Sequence, residues 1–239
     1  MGYNFERLKK GMAYLGITLS DIQLEQFIRY YESLIEKNRV MNLTAITDFD
    51  EVVQKHFIDS LALIKSIDLK HVSSIIDVGT GAGFPGIPLK IVFPSLKVTL
   101  MDSLNKRVCF LKDVIEMLNF SGIEALHSRA EDLARDPNYR EAYDLSVSRA
   151  VANLNSLSEY CLPFVKIDGY FISYKSGKIE DELETGKKAI QILGGRLENV
   201  EKFQLPESDI SRSLICIKKV KKCSGIYPRK AGMPTSSPL

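Results

Sequence analysis

"DVGTGAGFPGIPL", Asp77 to Leu89, is the stretch whose reading decides the fold. It follows the apolar run "SIIDV" (74–78) and leads into "FPGIPLKIVF" (84–93). A glycine turn between strand and helix lets the backbone approach a ligand closely, because glycine adopts conformations that a Cβ forbids. Gly81-Ala82-Gly83-Phe84-Pro85-Gly86 also fits the dinucleotide fingerprint G-x-G-x-x-G. Three details point away from a dinucleotide. Asp77 stands at the strand end, where a carboxylate repels a pyrophosphate and attracts an ammonium. The glycines begin directly after the strand, at 79, 81 and 83, so the fingerprint is out of step with the turn. Pro85 and Pro88 make the turn stiffer than a phosphate loop usually is. A zwitterionic amino-acid ligand fits better. Its carboxylate takes the loop N–H groups, and its ammonium sits near a carboxylate and carbonyls.

Outward from this turn, β-rich runs alternate with helical ones. "SIIDV", "KVTLMD", "IEALH", "YDLSVS" and "GYFISY" are separated by helical "LNKRVCFLKDVIEMLN", "RAEDLAR" and "NLNSLSEYCLPFV". A helix, "KIEDELETGKKAIQIL", and two more strand-like segments, "GRLENVEKFQL" and "SRSLICIKKV", close the series. The last two are placed to pair as a hairpin at the sheet edge. The pattern predicts an α/β, Rossmann-like, doubly wound and mostly parallel seven-stranded sheet over residues 71–220. Residues 1–70 read as a helical cap. Ser20 and Gln23 form a capping-box pair ahead of an amphipathic run. A second helix starts near Asp48, with Val52, Val53, Phe57, Leu61 and Ile64 as its buried stripe. Residues 221–239, rich in Pro, Gly and Ser, read as an extended tail.

The bulk numbers bound the class. The chain has 239 residues, 45% hydrophobic, with a formal net charge of +2, enough for one large domain or one domain with a small appendage. No apolar run approaches the roughly 18 residues of a membrane span, and the start, "MGYNFERLKKGMAYLG", has no signal-peptide core. Four scattered cysteines without a C-x-x-C argue against a disulfide framework or a zinc site and fit a reducing cytoplasm. Charge is unevenly spread. From Ile210 to Leu239 there are seven basic residues and no acidic one, which suggests a polyanion partner.

In an open α/β sheet ligands sit at the carboxyl ends of the strands, where the winding reverses. Asp102, at the end of "KVTLMD" and about 20 residues past the glycines, is placed to bind ribose hydroxyls. A helix N-cap is the ordinary role of such an aspartate, but Ser103 can cap and leave Asp102 free. Ala130 and Glu131, after the third strand, are placed to frame an adenine ring.

At these residues the sequence resembles a known family. "DVGTGAGFPG", "MDSLNKRVCFL", "SRAEDL" and "YDLSVSRAVANL", in that order, look like a class I S-adenosylmethionine-dependent methyltransferase. With "NRVMNLTAIT", "KHFIDSL" and "YPRKAGMP" the resemblance narrows to the RsmG (GidB) family and spans nearly the whole chain. It implies transfer of a methyl group from S-adenosyl-L-methionine to N7 of a guanosine in 16S rRNA of the small ribosomal subunit. It further implies cofactor contacts at Gly79, Phe84, Ala130, Glu131 and Arg149, with Gly81, Gly83 and Asp102 matching general class I positions. The tail after Pro234 is less basic than in relatives.

The region after the fourth strand bears on the acceptor. "SVSRAVAN" lacks the paired prolines of an amino-methylating turn. Cys161 lies within a helical stretch, away from any strand end, so it is a poor nucleophile for pyrimidine C5 chemistry. No cluster of acids and histidines suggests a metal. Guanine N7 carries an in-plane lone pair and no proton, so its attack needs alignment rather than a general base. Arg149 is the residue expected at the junction of cofactor and base, donating to the guanine edge or to a phosphate; a surface salt bridge is its ordinary alternative. Asn42 and His56 are candidates to shape the acceptor pocket. Tyr227, Arg229 and Lys230 are candidates to lie along RNA. The competing readings are a small-molecule methyltransferase of the same fold, a nicotinamide oxidoreductase and a non-enzymatic RNA-binding module.

Overall fold

The computed structural model describes residues 3–149 and 152–239; Ala150 and Val151, within the "SRAV" element, lie outside the described residues. Five strands run parallel: β1 (Ser74–Val78), β2 (Lys97–Asp102), β3 (Ile123–His127), β4 (Tyr143–Arg149) and β5 (Val165–Ser176). The closing segments, β6 (Gly195–Gln204) and β7 (Ser211–Lys219), form the expected antiparallel hairpin. β7 lies antiparallel against β5, leaving β6 at the edge, and the full order is β3-β2-β1-β4-β5-β7-β6. Winding therefore reverses between β1 and β4, and the crevice beyond their carboxyl ends is where a ligand belongs.

The strands read as continuous apolar runs because both faces of the sheet are covered. Successive side chains point to opposite faces. Ile75 joins a core shared with the N-terminal helices, while Ile76 joins a second core on the other face. Leu214, Ile215, Cys216 and Ile217 of β7 alternate in the same way. The first core is covered by α5 (Gly86–Val92) and α6 (Asn105–Met117), the second by α8 (Leu154–Cys161) and α9 (Glu180–Ile192). A short α7 (Ala130–Leu133) follows β3. Cys161, Cys216 and Cys223 are buried thiols, and Cys109 is exposed. No described helix is long and apolar enough to cross a membrane.

The N-terminal helices are α1 (Glu6–Tyr14) and α2 (Asp21–Met41). Ser20 and Gln23 close the capping box reciprocally. The Gln23 amide also donates to the carbonyls of Ile91 and Val92, tying the start of α2 to the end of α5. Asp48 caps α3 (Phe49–Val52). That helix does not continue regularly, as its stripe suggested. It widens into a π-turn, Val53–Ile58, before α4 (Asp59–Leu61). Such insertions recur at functional sites, and this one carries His56. Phe27, Tyr30 and Phe57 interlock with centroids 4.8 and 5.7 Å apart, and Phe84 of the glycine turn lies 5.4 Å from Tyr30.

The tail departs from the sequence expectation. It is docked rather than free, and ends in a helical turn, α10 (Met233–Ser236). Of the seven cations from Ile210 onward four are paired, three of them in β7 and one, Arg229, in the tail itself. Arg212 pairs with Asp59, Lys218 with Asp168, Lys219 with Glu141 and Arg229 with Glu159. The acids come from elsewhere in the chain, so the local composition does not show the pairing.

Gly86, the first residue of α5, sits where a Cβ would lie 2.2 Å from Leu100 Cδ2 and 3.0 Å from Asp77 Oδ2. The last glycine of the fingerprint thus serves close packing of α5 on the sheet. Gly86→Ala should cost about 1–3 kcal/mol through overpacking, read as a lowered urea midpoint; an unchanged midpoint would show that α5 can stand off the sheet.

Candidate active site

The glycine turn is held from three sides. Gly79 and Thr80 donate their N–H groups to the Met101 carbonyl of β2, at 2.9 and 3.0 Å. Tyr30 of α2 donates its hydroxyl to the Ala82 carbonyl at 2.6 Å. Gly79 and Gly81 have φ of 72° and 63°, a region that disfavours other residues. A Cβ on Gly81 would meet nothing within 4 Å, so a side chain there would project into the cleft. Gly83 is different, since a Cβ there would press to 2.9 Å from the Tyr30 hydroxyl. Its glycine is needed for packing under the cap.

Asp77 does not present its carboxylate to a ligand ammonium, contrary to the expectation. It is fully buried beneath the turn, with Oδ2 accepting from the Thr80 hydroxyl (2.7 Å) and the Gly86 N–H (2.8 Å). It organises the loop and the start of α5. Burial pushes its carboxyl up to about 7.

Asp102 likewise departs from the free carboxylate expected of it. α6 starts without a side-chain cap, and Asp102 Oδ1 itself accepts the Leu104 N–H at 2.9 Å. Oδ2 accepts from the Gly81 N–H at 3.0 Å and from Arg107 at 3.3 Å. Ser103 makes no cap, and Asp102 instead holds the N–H of Leu104, the residue that precedes the helix. Each carboxylate oxygen has two acceptor positions, so this fixed group retains capacity for hydroxyls.

Arg149 ends β4 and joins the sheet to the cap. Its guanidinium donates to Asp59 Oδ2 and to the Lys55 carbonyl, both at 3.3 Å, and lies 5.0 Å from the centre of the Phe84 ring. His56 stacks on the same ring, centroids 4.6 Å apart, with Nε2 2.9 Å from the Thr44 hydroxyl. Asp59 also receives Arg212 at 3.0 Å.

These groups surround three neighbouring spaces that share lining residues. A cavity of about 390 Å³ is lined by Gly79, Gly81, Phe84, Asp102 and Arg149, with Thr44, His56 and Arg107 from the cap side and α6. A cleft of about 190 Å³ continues past Gly79 and Ser103 to Ala130, Glu131 and Tyr160. On the other side of His56 and Arg149 lies a cavity of about 530 Å³ bordered by Lys55, Asp59, Asn153, Lys175, Glu182 and Arg212. Among the described residues, no group of three or more His, Cys, Asp or Glu is placed to hold a metal.

Other expected residues lie elsewhere. Asn42 ends α2 in the left-handed conformation, φ 50°. It lines none of these spaces and acts by turning the chain so that Leu43 and Thr44 reach the cavity. Tyr227, Arg229 and Lys230 line none of these spaces. The Arg229 guanidinium is bound by both oxygens of buried Glu159, so its hydrogen bonds are made inside the protein. The Tyr227 carbonyl accepts from Arg140, its ring packs on the second core, and Lys230 is exposed. Sequence reasoning passed over Thr44, Asp59, Lys175 and Arg212. The first two sit inside "NLTAIT" and "KHFIDSL", which were singled out only as whole motifs.

His56 is held neutral. Burial, and then the Arg149 charge, lower it to about 4 from an ordinary value near 6.5. The unfolded chain takes up this proton near pH 6.5 and the folded one does not, so the contribution to stability is full above 6.5 and is lost as pH falls toward 4. In an NMR titration the His56 ring should stay neutral from pH 8 to 5, and His56→Gln should flatten the acid loss of stability; a His56 midpoint at 6 or above would contradict this.

Comparison with known proteins shows the family. The GidB family model, described as rRNA small subunit methyltransferase G, matches residues 23–214. The chain is 56% identical over 230 residues to ribosomal RNA small subunit methyltransferase G of Lachnoclostridium phytofermentans, covering 96% of this chain and 95% of the relative. It is 48% identical to the protein of that name from Bacillus licheniformis, covering 99% of both chains. Among solved structures it resembles M. jannaschii TYW2 in complex with AdoMet (TM-score 0.50, 15% identity, 62% of this chain and 70% of that one). It also resembles TrmN from Thermus thermophilus (TM-score 0.52, 14% identity, 70% and 53%). At such identities these two speak to the fold alone. The chain belongs to the GidB family of small-subunit rRNA methyltransferases.

Proposed function

We propose that this chain transfers the methyl group of S-adenosyl-L-methionine to N7 of a guanosine in 16S rRNA of the small ribosomal subunit, in the cytoplasm. The observation that carries the reading is the wall formed by Arg149 and His56 between two cavities of different character. The glycine-turn cavity and its extension offer close backbone approach, a fixed carboxylate and an apolar slot, which suits an amino-acid-bearing nucleoside. Gly79 and Gly81 admit the ligand, Asp102 meets the ribose, and Ala130 and Glu131 meet the adenine. The bound cofactor supplies an electrophilic methyl on a sulfonium.

The second cavity sets Lys55, Arg149, Lys175 and Arg212 against Asp59 and Glu182, a lining with an excess of positive charge that suits a nucleotide. Arg149 donating to guanine O6 leaves the N7 lone pair free to attack. N7 carries no proton, so no residue has to remove one, and neutral His56 and buried Phe84 keep water from the junction.

The test is methylation of 16S rRNA and of small subunits from a strain that lacks the modification. Labelled cofactor should place one methyl group per molecule, at a single guanosine that becomes sensitive to reductive strand cleavage as 7-methylguanosine does. Label on another atom, or on small acceptors only, overturns the assignment.

A further inference from the structure

The docked tail meets the protein on one face of α8. Ser156, Glu159 and Tyr160 stand three and four positions apart, so they share a side of the helix. Ser156 donates its hydroxyl to the Pro234 carbonyl at 2.7 Å. Glu159 is fully buried and takes the backbone N–H, Nε and Nη2 of Arg229, at 2.7 to 3.1 Å. Tyr160 lies beside the Thr235 hydroxyl and also lines the cleft with Ala130 and Glu131. Arg135 fixes the Pro228 carbonyl at 2.6 Å, and Arg140 holds that of Tyr227 at 2.9 Å.

One contact links this anchor to the cleft directly. The Gly232 N–H donates to Glu131 Oε1 at 3.2 Å. Glu131 is 6% exposed, and a carboxylate that buried is oriented by whatever hydrogen-bonds it. Gly232 has φ of 84°, a backbone state that turns its N–H toward Glu131 once Arg229 has been fastened.

We propose that residues 229–235 are a positioning strap for the adenosine end of the cofactor cleft: the Arg229–Glu159 pair fastens the tail, and Gly232 and Thr235 set the Glu131 carboxylate and the Tyr160 ring. The proposal rests on the assignment of Ala130 and Glu131 to adenine made above. It gives the tail a role at the cofactor, distinct from contact with the RNA backbone. Arg229 is a positioning residue and touches no reactant.

The experiment compares the full chain, Arg229→Ala and a chain ending at Ala231. The truncated chain keeps the buried ion pair and loses residues 232–239, which include the contacting Gly232, Pro234 and Thr235 and also Leu239 at the second core, so an unchanged urea midpoint is the control that separates positioning from folding. Calorimetry with S-adenosylmethionine and methyl transfer to 16S rRNA at several salt concentrations are the readouts. The truncation should raise the cofactor Kd and KM about tenfold, the effect of one hydrogen bond to a carboxylate. Turnover at saturating cofactor and the salt dependence of the rRNA KM should stay unchanged. Arg229→Lys should recover part of what Arg229→Ala loses. Unchanged cofactor affinity in the truncated chain, or a fall in rRNA affinity with a flatter salt slope instead, overturns the strap. A full chain that does not bind S-adenosylmethionine overturns the functional reading and the strap together, so the two failures are distinguishable.

Discussion

Asp59 is the carboxylate on which cap, sheet and site converge. It comes from α4, is nearly inaccessible, and receives Arg149 from β4 on one oxygen and Arg212 from β7 on the other. A buried charge is tolerated only when it is paired and hydrogen-bonded, and two arginines from separate strands meet that condition. Removing one arginine leaves the other opposite Asp59, whereas removing Asp59 leaves two arginines without their acceptor, and breaking a buried pair in that way typically costs about 3–5 kcal/mol. The same contact holds the Arg149 guanidinium over Phe84, and Phe84 in turn stacks on His56. The wall between the two cavities is therefore a consequence of how the cap is attached.

The glycine turn depends on the cap as well. Tyr30 holds the Ala82 carbonyl and crowds Gly83, so α2 sets the shape of a loop usually attributed to the sheet alone. Beneath the loop Asp77 ties Thr80 to Gly86, and beside it Asp102 ties Gly81 to Leu104. Asp77 fixes the backbone from beneath, while Asp102 fixes it and still borders the cavity. Preorganisation of this kind lets a site align reactants without moving at the moment of reaction, which suits an acceptor atom that requires no deprotonation.

Much of this was legible in the chain because the signals are local. Ser74–Val78, Lys97–Asp102 and Ile123–His127 are strands at the boundaries set by their apolar runs. Ser20 and Gln23 form the capping box three residues apart that their identities announce. The glycine turn, Asp102 and Arg149 fell where strand ends must fall, so they were found together. What was not legible is pairing at long range. Glu159 and Arg229 are separated by 70 positions, and no composition window spans them. The basic run from Ile210 onward therefore pointed to a polyanion partner, although four of its cations had partners elsewhere. Asp77 was misread for a related reason: its strand-end position is visible, but its direction under the turn depends on the packing of α5.

The central claim is that Arg149 orients the acceptor across the wall as well as bordering the cofactor. Arg149→Lys tests it most directly, because lysine keeps a cation opposite Asp59 and loses the planar fork that fixes a base edge. Turnover on 16S rRNA and cofactor Kd should be measured on the same preparation. The account predicts that turnover falls by about a hundredfold or more while the cofactor Kd changes by less than about threefold. Equal losses in both would make Arg149 a cofactor ligand only, and unchanged turnover would reduce it to the tie between cap and sheet.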